Sequence, residues 1–334
     1  MNNNEPIIQV ESLTRTYEYY RKEFGLKGSI RSFFHRKMET VEAVKNISFT
    51  IDQGEFVGFI GPNGAGKTTT LKMLSGVLHP TSGSVRVLDD TPQDRRNDFL
   101  KQIGFVMGQK DSLFDELPAM ELFLLMRDVY EIPHKEFDKA LDTLAGLLDV
   151  QDFLDIQTRR LSLGQRMKCE LISCLLHMPR VLFLDEPTIG LDVASQKMIR
   201  EFFRNYNSET GATILLTSHY LEDIKSLCER IIFIDHGQIL FDGPIDEIIE
   251  RYAPNVHISF STNEGEVDDH KKAVASLGEI EYDDEDSVFR LLIDRDTSTE
   301  AARQILNTCP VHSILIEEPS MEEVVTALGG DHAT

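Results

Sequence analysis

The sequence predicts an α/β core followed by a small α+β module, and three observations carry that expectation. Short apolar runs of strand length, including Phe56–Ile60, 181–184 and Thr213–Thr217, alternate with helix-compatible segments, as in a parallel sheet buried on both faces. The run Gly61-Pro62-Asn63-Gly64-Ala65-Gly66-Lys67-Thr68 stands between the first of these strands and a helix-compatible segment at 69–75. Beyond residue 253 the pattern becomes strand, helix, strand, strand, helix, strand, the order of a ferredoxin-like module.

In chain order, residues 7–10 and 41–51 read as strands flanking an excursion at 18–40, and 55–60 reads as a buried strand entering the glycine-containing loop. From 118 to about 165 the pattern is mostly helical, so a helical subdomain over about 110–165 is expected between two strands of the core, with mobile flanking loops. Tyr252-Ala253-Pro254-Asn255 marks a boundary, giving expected domains at 1–253 and 254–334. In the second, Val256, Ile258 and Phe260 alternate as a strand, 267–277 is helical, a weak strand lies near Ile280, and 288–293 and 311–317 are strands. Thr297-Ser298-Thr299-Glu300 and Ser320-Met321-Glu322-Glu323 each have the spacing of a capping box at a helix start.

A chain of 334 residues with 41% hydrophobic content has room for one large domain with an appendage or for two unequal domains. Its formal charge of −22 argues against a nucleic-acid partner, because such binding draws its affinity from Lys and Arg neutralising phosphates. Residues 262–300 hold thirteen acids and four bases, a net of −9, which does not suit a phosphate or anionic-lipid surface. Cys169, Cys174, Cys228 and Cys309 form no C-x-x-C pair and read as small apolar residues in a reducing cytosol. The N-terminus lacks the basic start and apolar core of a secretion signal, and no apolar stretch has membrane-spanning length.

The chemistry lies in three places. In the 61–68 loop, glycines permit a tight turn whose amides, with the following helix N-terminus, point at phosphate oxygens; Lys67 adds positive charge and Thr68 can hold magnesium. This reads as a nucleoside triphosphate site. Asp185 and Glu186 end an apolar strand: Asp185 is placed to bind magnesium, directly or through water, and Glu186 to polarise a water for in-line attack on a γ-phosphate. At Leu161-Ser162-Leu163-Gly164-Gln165 a polar turn opens a long helical stretch, a second terminus able to meet phosphate.

Together with Gly190-Leu191-Asp192 and Thr217-Ser218-His219, these motifs in this order resemble the ABC transporter ATPases over about residues 5–250. The resemblance implies that Gly61, Pro62, Asn63, Gly64, Ala65, Gly66, Lys67, Thr68 and Thr69 form the Walker A loop around ATP, that Asp185 and Glu186 are Walker B, and that Asp192 belongs to the D-loop. It makes Ser162, Gly164 and Gln165 the nucleotide-contacting signature, His219 the switch histidine at the γ-phosphate, and Tyr17, just past the first strand, the ring stacked on adenine. Gln109 takes the Q-loop position, catalytic and toward Mg2+, although it stands one residue late after Ile103-Gly-Phe-Val-Met-Gly; Leu163 replaces the usual signature glycine.

Family members sandwich two ATP between two nucleotide-binding subunits, so a homodimer is implied, a heterodimer being the alternative. The single cassette, without coiled-coil, zinc module or basic excess, resembles transport ATPases, peripheral on the cytoplasmic face and driving separate permease subunits. The Asn63 to Thr69 form, the run from Pro187 to Asp192 and the C-terminal module resemble type-two exporter ATPases, including a subgroup linked to efflux of toxic cations. ATP-driven mechanotransmission without translocation is the second reading. The 18–40 excursion, with six bases against three acids plus Phe24, Phe33 and Phe34, is expected to dock on the permease aided by lipid headgroups, or else to pack on its own domain.

Overall fold

The structure, a computed structural model, describes residues 6–20, 38–108, 113–218, 220–252, 254–262, 267–278, 280–283, 287–317, 319 and 323. It divides into two compact units, Met1–Gly243 and Pro244–Thr334.

In the first unit, β1 (Ile8–Tyr20), β2 (Met38–Ile51) and β4 (Ser82–Val87) form an antiparallel sheet in the order β2-β1-β4. The second sheet runs β5 (Ile103–Met107), β6 (Val181–Asp185), β7 (Thr213–Thr217), β3 (Phe56–Ile60), β8 (Arg230–Asp235) and β9 (Gln238–Pro244), with all neighbours parallel from β5 through to β8. Every residue of β6 and β7 is buried, as their continuous apolar runs require. The chain turns from β8 into β9 through His236 and Gly237, both left-handed at φ 45° and 81°, the backbone that a two-residue hairpin needs.

Helix α1 (Lys67–Leu74) follows β3 and buries Leu71, Met73 and Leu74 in one core with Val57 and Phe59 of β3, Phe183 of β6 and Ile8, Val10 and Leu13 of β1, so both sheets close on this helix. After the short α2 (Asn97–Leu100), helices α3 (Ala119–Val129) and α4 (His134–Leu148) pack on α5 (Leu163–Leu175). α6 (Val193–Thr210) precedes β7, and α7 (Leu221–Leu227) follows it. Among the described residues no helix is long and apolar enough to cross a membrane. Cys169, Cys228 and Cys309 are buried and Cys174 half-buried; burial pushes the Cys169 and Cys174 thiols up to about 12.

The first strand is longer than its alternation predicts. Register shifts between Val10 and Leu13, Leu13 and Arg15, and Arg15 and Thr16, with Ser12 at φ 50°, break the two-residue period while pairing with β2 continues to Tyr20. Tyr17 therefore lies within β1, opposite Val41, rather than beyond the strand. The ends of the 18–40 excursion pair as Glu18 with Thr40, Tyr19 with Glu39 and Tyr20 with Met38; its basic residues, all at 21–37, lie outside the described residues.

The second unit contains α8 (Ile245–Tyr252), β10 (Asn255–Thr262), α9 (Val267–Val274), β11 (Ile280–Asp283), β12 (Val288–Asp294), α10 (Ser298–Thr308) and β13 (Val311–Glu317). Its sheet order is β11-β12-β10-β13 with every neighbouring pair antiparallel, the arrangement of a ferredoxin-like module. Ile258 and Phe260 join Phe289, Leu291 and Ile293 beneath Val274, Ala301 and Ile305 of the two helices, and the Phe260 and Phe289 rings stack at 4.8 Å. The capping box expected at 297–300 does not form. A 3-10 turn, Arg295–Thr297, runs straight into α10, so Thr297 Oγ1 donates backward to the Asp294 carbonyl at 3.1 Å and Glu300 pairs with Arg303. The second box, at 320–323, falls mostly outside the described residues.

Adjacent leucines test the register of β12, because Leu291 is 1% exposed and Leu292 is 51% exposed. Leu291→Ala should cost about 2–5 kcal/mol in urea unfolding of the chain. Leu292→Ala should cost less than about 0.5 kcal/mol beyond its small change in strand propensity.

Candidate functional site

The phosphate loop is shaped by close backbone approach. A Cβ at Gly61 would lie 1.9 Å from the Ile234 carbonyl oxygen, and one at Gly66, whose φ is 112°, would lie 2.4 Å from that of Ala43, so neither position admits a side chain. The loop is pinned by its own Ala65 N–H donating to Pro62 and by the Ala65 carbonyl accepting from Gly237 N at 3.0 Å. Lys67, the first residue of α1, turns back into the loop and donates from Nζ to the carbonyls of Gly61 at 2.7 Å and Pro62 at 3.1 Å. Burial lowers the pKa of this ammonium from its ordinary value, while the nearby carboxylates of Glu186 and Asp185 oppose the shift.

Asn63, Gly64, Gly66, Lys67, Thr68 and Thr69 line a cleft of about 230 Å³ together with Ala43 of β2 and Glu186. Asp185, the last residue of β6, accepts at Oδ1 from Thr68 Oγ1 at 3.1 Å and from Thr217 Oγ1 at 2.8 Å. Glu186 follows in a left-handed conformation, φ 56°, with its amide donating to both the carbonyl and the hydroxyl of Thr217. Gly108 N donates to the Asp185 carbonyl at 2.8 Å, and a Cβ there would meet the Glu186 carbonyl oxygen at 2.0 Å. Gly108, directly after β5, is thereby pressed against the two acids.

The donor set fits magnesium held jointly with a phosphate. Thr68 and Asp185 offer hard oxygen donors at one point, too few to cage an ion alone, and among the described residues no group of three His, Cys, Asp or Glu forms a metal site. The remaining positions suit nucleotide oxygens and water.

Ser162 caps α5 in a reciprocal box: its Oγ accepts from Gln165 N at 3.2 Å, and Gln165 Oε1 accepts from Ser162 N at 2.9 Å. Gly164 is pressed against Ser195, whose Oγ would lie 2.8 Å from a Cβ, and Leu163 is exposed. Asp192 caps α6, accepting from Ser195 N at 3.0 Å and Ser195 Oγ at 2.7 Å, and these bonds hold its carboxyl below the usual range. Neither this turn nor Tyr17 lines the Lys67 cleft. Tyr17 is partly exposed on β1 with the Arg15 guanidinium 4.6 Å above its ring, two residues in register from Ala43. Gln109 and His219 lie outside the described residues. Ala43 joins the site with no motif to mark it, and Gly108 and Thr217, which stand in the motif runs of Gln109 and His219, join it through a backbone approach and a hydroxyl bond that those motifs do not specify.

The model of the ABC transporter family matches residues 44–189. The ABC transporter ATP-binding protein NatA of Bacillus subtilis (strain 168) is 32% identical over 217 residues, spanning 65% of this chain and 88% of its own. The linearmycin resistance ATP-binding protein LnrL of the same organism is 29% identical over 296 residues, spanning 86% of this chain and 93% of its own. Among solved structures, the dimeric post-hydrolysis state of an ATP-binding cassette bound to ADP and Pi superposes with a TM-score of 0.59 at 26% identity, covering 71% of this chain and 98% of that one. With the phosphate loop, the paired acids and the capped signature turn in place, this chain belongs to the ABC transporter family as an ATP-binding subunit with ATPase activity.

Proposed function

We propose that the chain dimerises around ATP and drives a separate membrane permease, in the direction of export. The observation that carries the dimer is the separation within one chain: the cleft holds the phosphate loop and Glu186, while the Ser162, Gly164 and Gln165 turn is not among its walls. A second copy supplies that turn, its helix N-terminus meeting the terminal phosphate. Export is supported by the linearmycin-resistance relative, since resistance through an ATP-binding transport subunit accords with removal of the compound. An alignment of 296 residues also reaches well past Gly243, so the likeness extends into the second unit.

In this mechanism Lys67 exchanges the Gly61 and Pro62 carbonyls for phosphate oxygens, and the phosphate charge relieves the cost of burying the ammonium. The loop amides of 63–69 hold the remaining oxygens. Thr68 and Asp185 would hold magnesium, which when bound would neutralise phosphate charge. Glu186 takes the proton-accepting role toward the attacking water, with its backbone fixed by Thr217. Gln109 and His219 complete the γ-phosphate environment, and Tyr17 stacks on adenine.

Glu186→Gln should bind ATP, accumulate closed dimers and hydrolyse about 100-fold to 10,000-fold more slowly. Lys67→Ala should lose roughly 10- to 100-fold in ATP affinity, the worth of a charged hydrogen bond of ~1.5–3 kcal/mol. Equilibrium nucleotide binding and phosphate release check both; near-parental turnover by Glu186→Gln removes it from the catalytic role.

Mixing Ser162→Arg chains with Lys67→Ala chains tests composite sites. Each mixed dimer retains one unmutated pairing of loop and turn, so ATPase activity should rise above that of either variant alone. No rise, with no nucleotide-dependent dimerisation even when the permease is present, contradicts the sandwich. Transport in permease-containing vesicles then separates export from mechanotransmission, which would show ATP-driven change in the partner without substrate movement.

A further inference from the structure

Deep in the first unit, outside the cleft, lies an ion pair with both members buried: the Asp223 side chain is 1% exposed and that of Arg200 is 8% exposed. Three donors from three elements converge on the one carboxylate. Oδ1 accepts from Arg200 Nη1 of α6 at 2.9 Å, and Oδ2 accepts from Thr188 Oγ1 at 2.5 Å and from Ser218 Oγ at 2.7 Å. Ser218 Oγ in turn accepts from Tyr220 N at 3.0 Å, which orients that hydroxyl toward Asp223.

The two hydroxyls mark where these bonds act. Thr188 stands two residues after Glu186, in a turn closed by Ile189 N donating to the Glu186 carbonyl at 3.2 Å. Ser218 follows Thr217, the residue whose carbonyl and hydroxyl receive the Glu186 amide. Glu186 itself sits at φ 56°, a conformation costly for a residue with a side chain unless its surroundings impose it. Asp223 Oδ2 ties the turn on one side of Glu186 to the strand end on the other, and Arg200 fastens that tie to the helix whose N-cap is Asp192.

We propose that Asp223 is a positioning residue for ATP hydrolysis, holding the Thr188 turn against Ser218 so that the backbone and carboxylate of Glu186 keep their place. The proposal rests on the reading of Glu186 as the group that polarises water. A carboxylate is required because all three partners donate; an amide in its place turns an N–H toward donors and leaves the buried Arg200 charge with only the exposed Glu222 carboxylate, 3.4 Å from Nη2, as its partner.

A residue that merely staples the fold behaves differently from one that aims Glu186, and a paired replacement distinguishes them. Replacing a buried ion pair with apolar residues restores packing and removes charge burial, while Thr188 and Ser218 still lose their acceptor. The full chain carrying Arg200→Met with Asp223→Leu should melt near the parent and bind ATP with affinity within about threefold of it. It should hydrolyse ATP about 100-fold more slowly, the scale of a misplacement near 1 Å. Thr188→Val and Ser218→Ala, each removing one hydroxyl, should lower kcat by smaller factors with KM unchanged. Asp223→Glu should recover part of the kcat lost in Asp223→Asn.

If the paired variant hydrolyses at the parental rate while Glu186→Gln is inactive, Asp223 is a staple and this proposal falls alone. If Glu186→Gln hydrolyses normally, the reading of Glu186 falls and takes the proposal with it. If the paired variant fails to fold, a parental kcat in Thr188→Val and Ser218→Ala combined overturns the proposal, and a reduced kcat with unchanged ATP affinity upholds it.

Discussion

One oxygen, Oδ1 of Asp185, receives the hydroxyls of Thr68 and Thr217, and much of the site's geometry follows from that convergence. It is possible only because β7 lies between β6 and β3 in a parallel sheet, so that the C-terminal ends of all three strands open on the same edge. Ligands of such sheets gather at that edge. The β3 end launches the phosphate loop, the β6 end presents the two acids, and the Thr217 hydroxyl at the β7 end donates to Asp185 while accepting from the Glu186 amide. Removing the sheet order would separate groups that lie 117 and 32 residues from Asp185 along the chain.

Around that point the backbone leaves little freedom. Glu186 is left-handed, Gly108 has no room for a Cβ beside the Glu186 carbonyl, and Gly61 and Gly66 are closed off by the carbonyls of Ile234 and Ala43. Position 108 accepts only glycine, because its amide bonds the Asp185 carbonyl while a Cβ there would meet the Glu186 carbonyl oxygen at 2.0 Å. Lys67 is buried against carbonyls, with the carboxylates of Glu186 and Asp185 opposing the lowering of its pKa by burial.

The parts legible in the sequence were those encoded locally. β6 and β7 declared themselves as unbroken apolar runs, the phosphate loop by its glycines between strand and helix, β10 by the alternation of Val256, Ile258 and Phe260, and β12 by its mostly apolar stretch. Even the four-residue β11 was visible near Ile280, helped by the neighbouring pattern. Bulges in β1 destroyed the alternation that would have revealed its length and put Tyr17 inside a strand. The capping spacing at 297–300 misled because a 3-10 turn feeding directly into α10 reorients the threonine hydroxyl. The roles of Thr217, Ala43 and Asp223 were hidden, although Thr217 stands in a motif, because their partners Asp185, Gly66 and Arg200 come from other elements of the chain.

The central claim is that Asp185 joins Thr68 to the sheet as the magnesium-holding point of the nucleotide site, and nucleotide affinity measured with and without Mg2+ tests it most directly. In Asp185→Asn, ATP affinity without the ion should stay near that of the parent, while the gain in affinity on adding Mg2+ should be largely lost. A parental gain in that variant, with its fold intact by circular dichroism, would contradict the account.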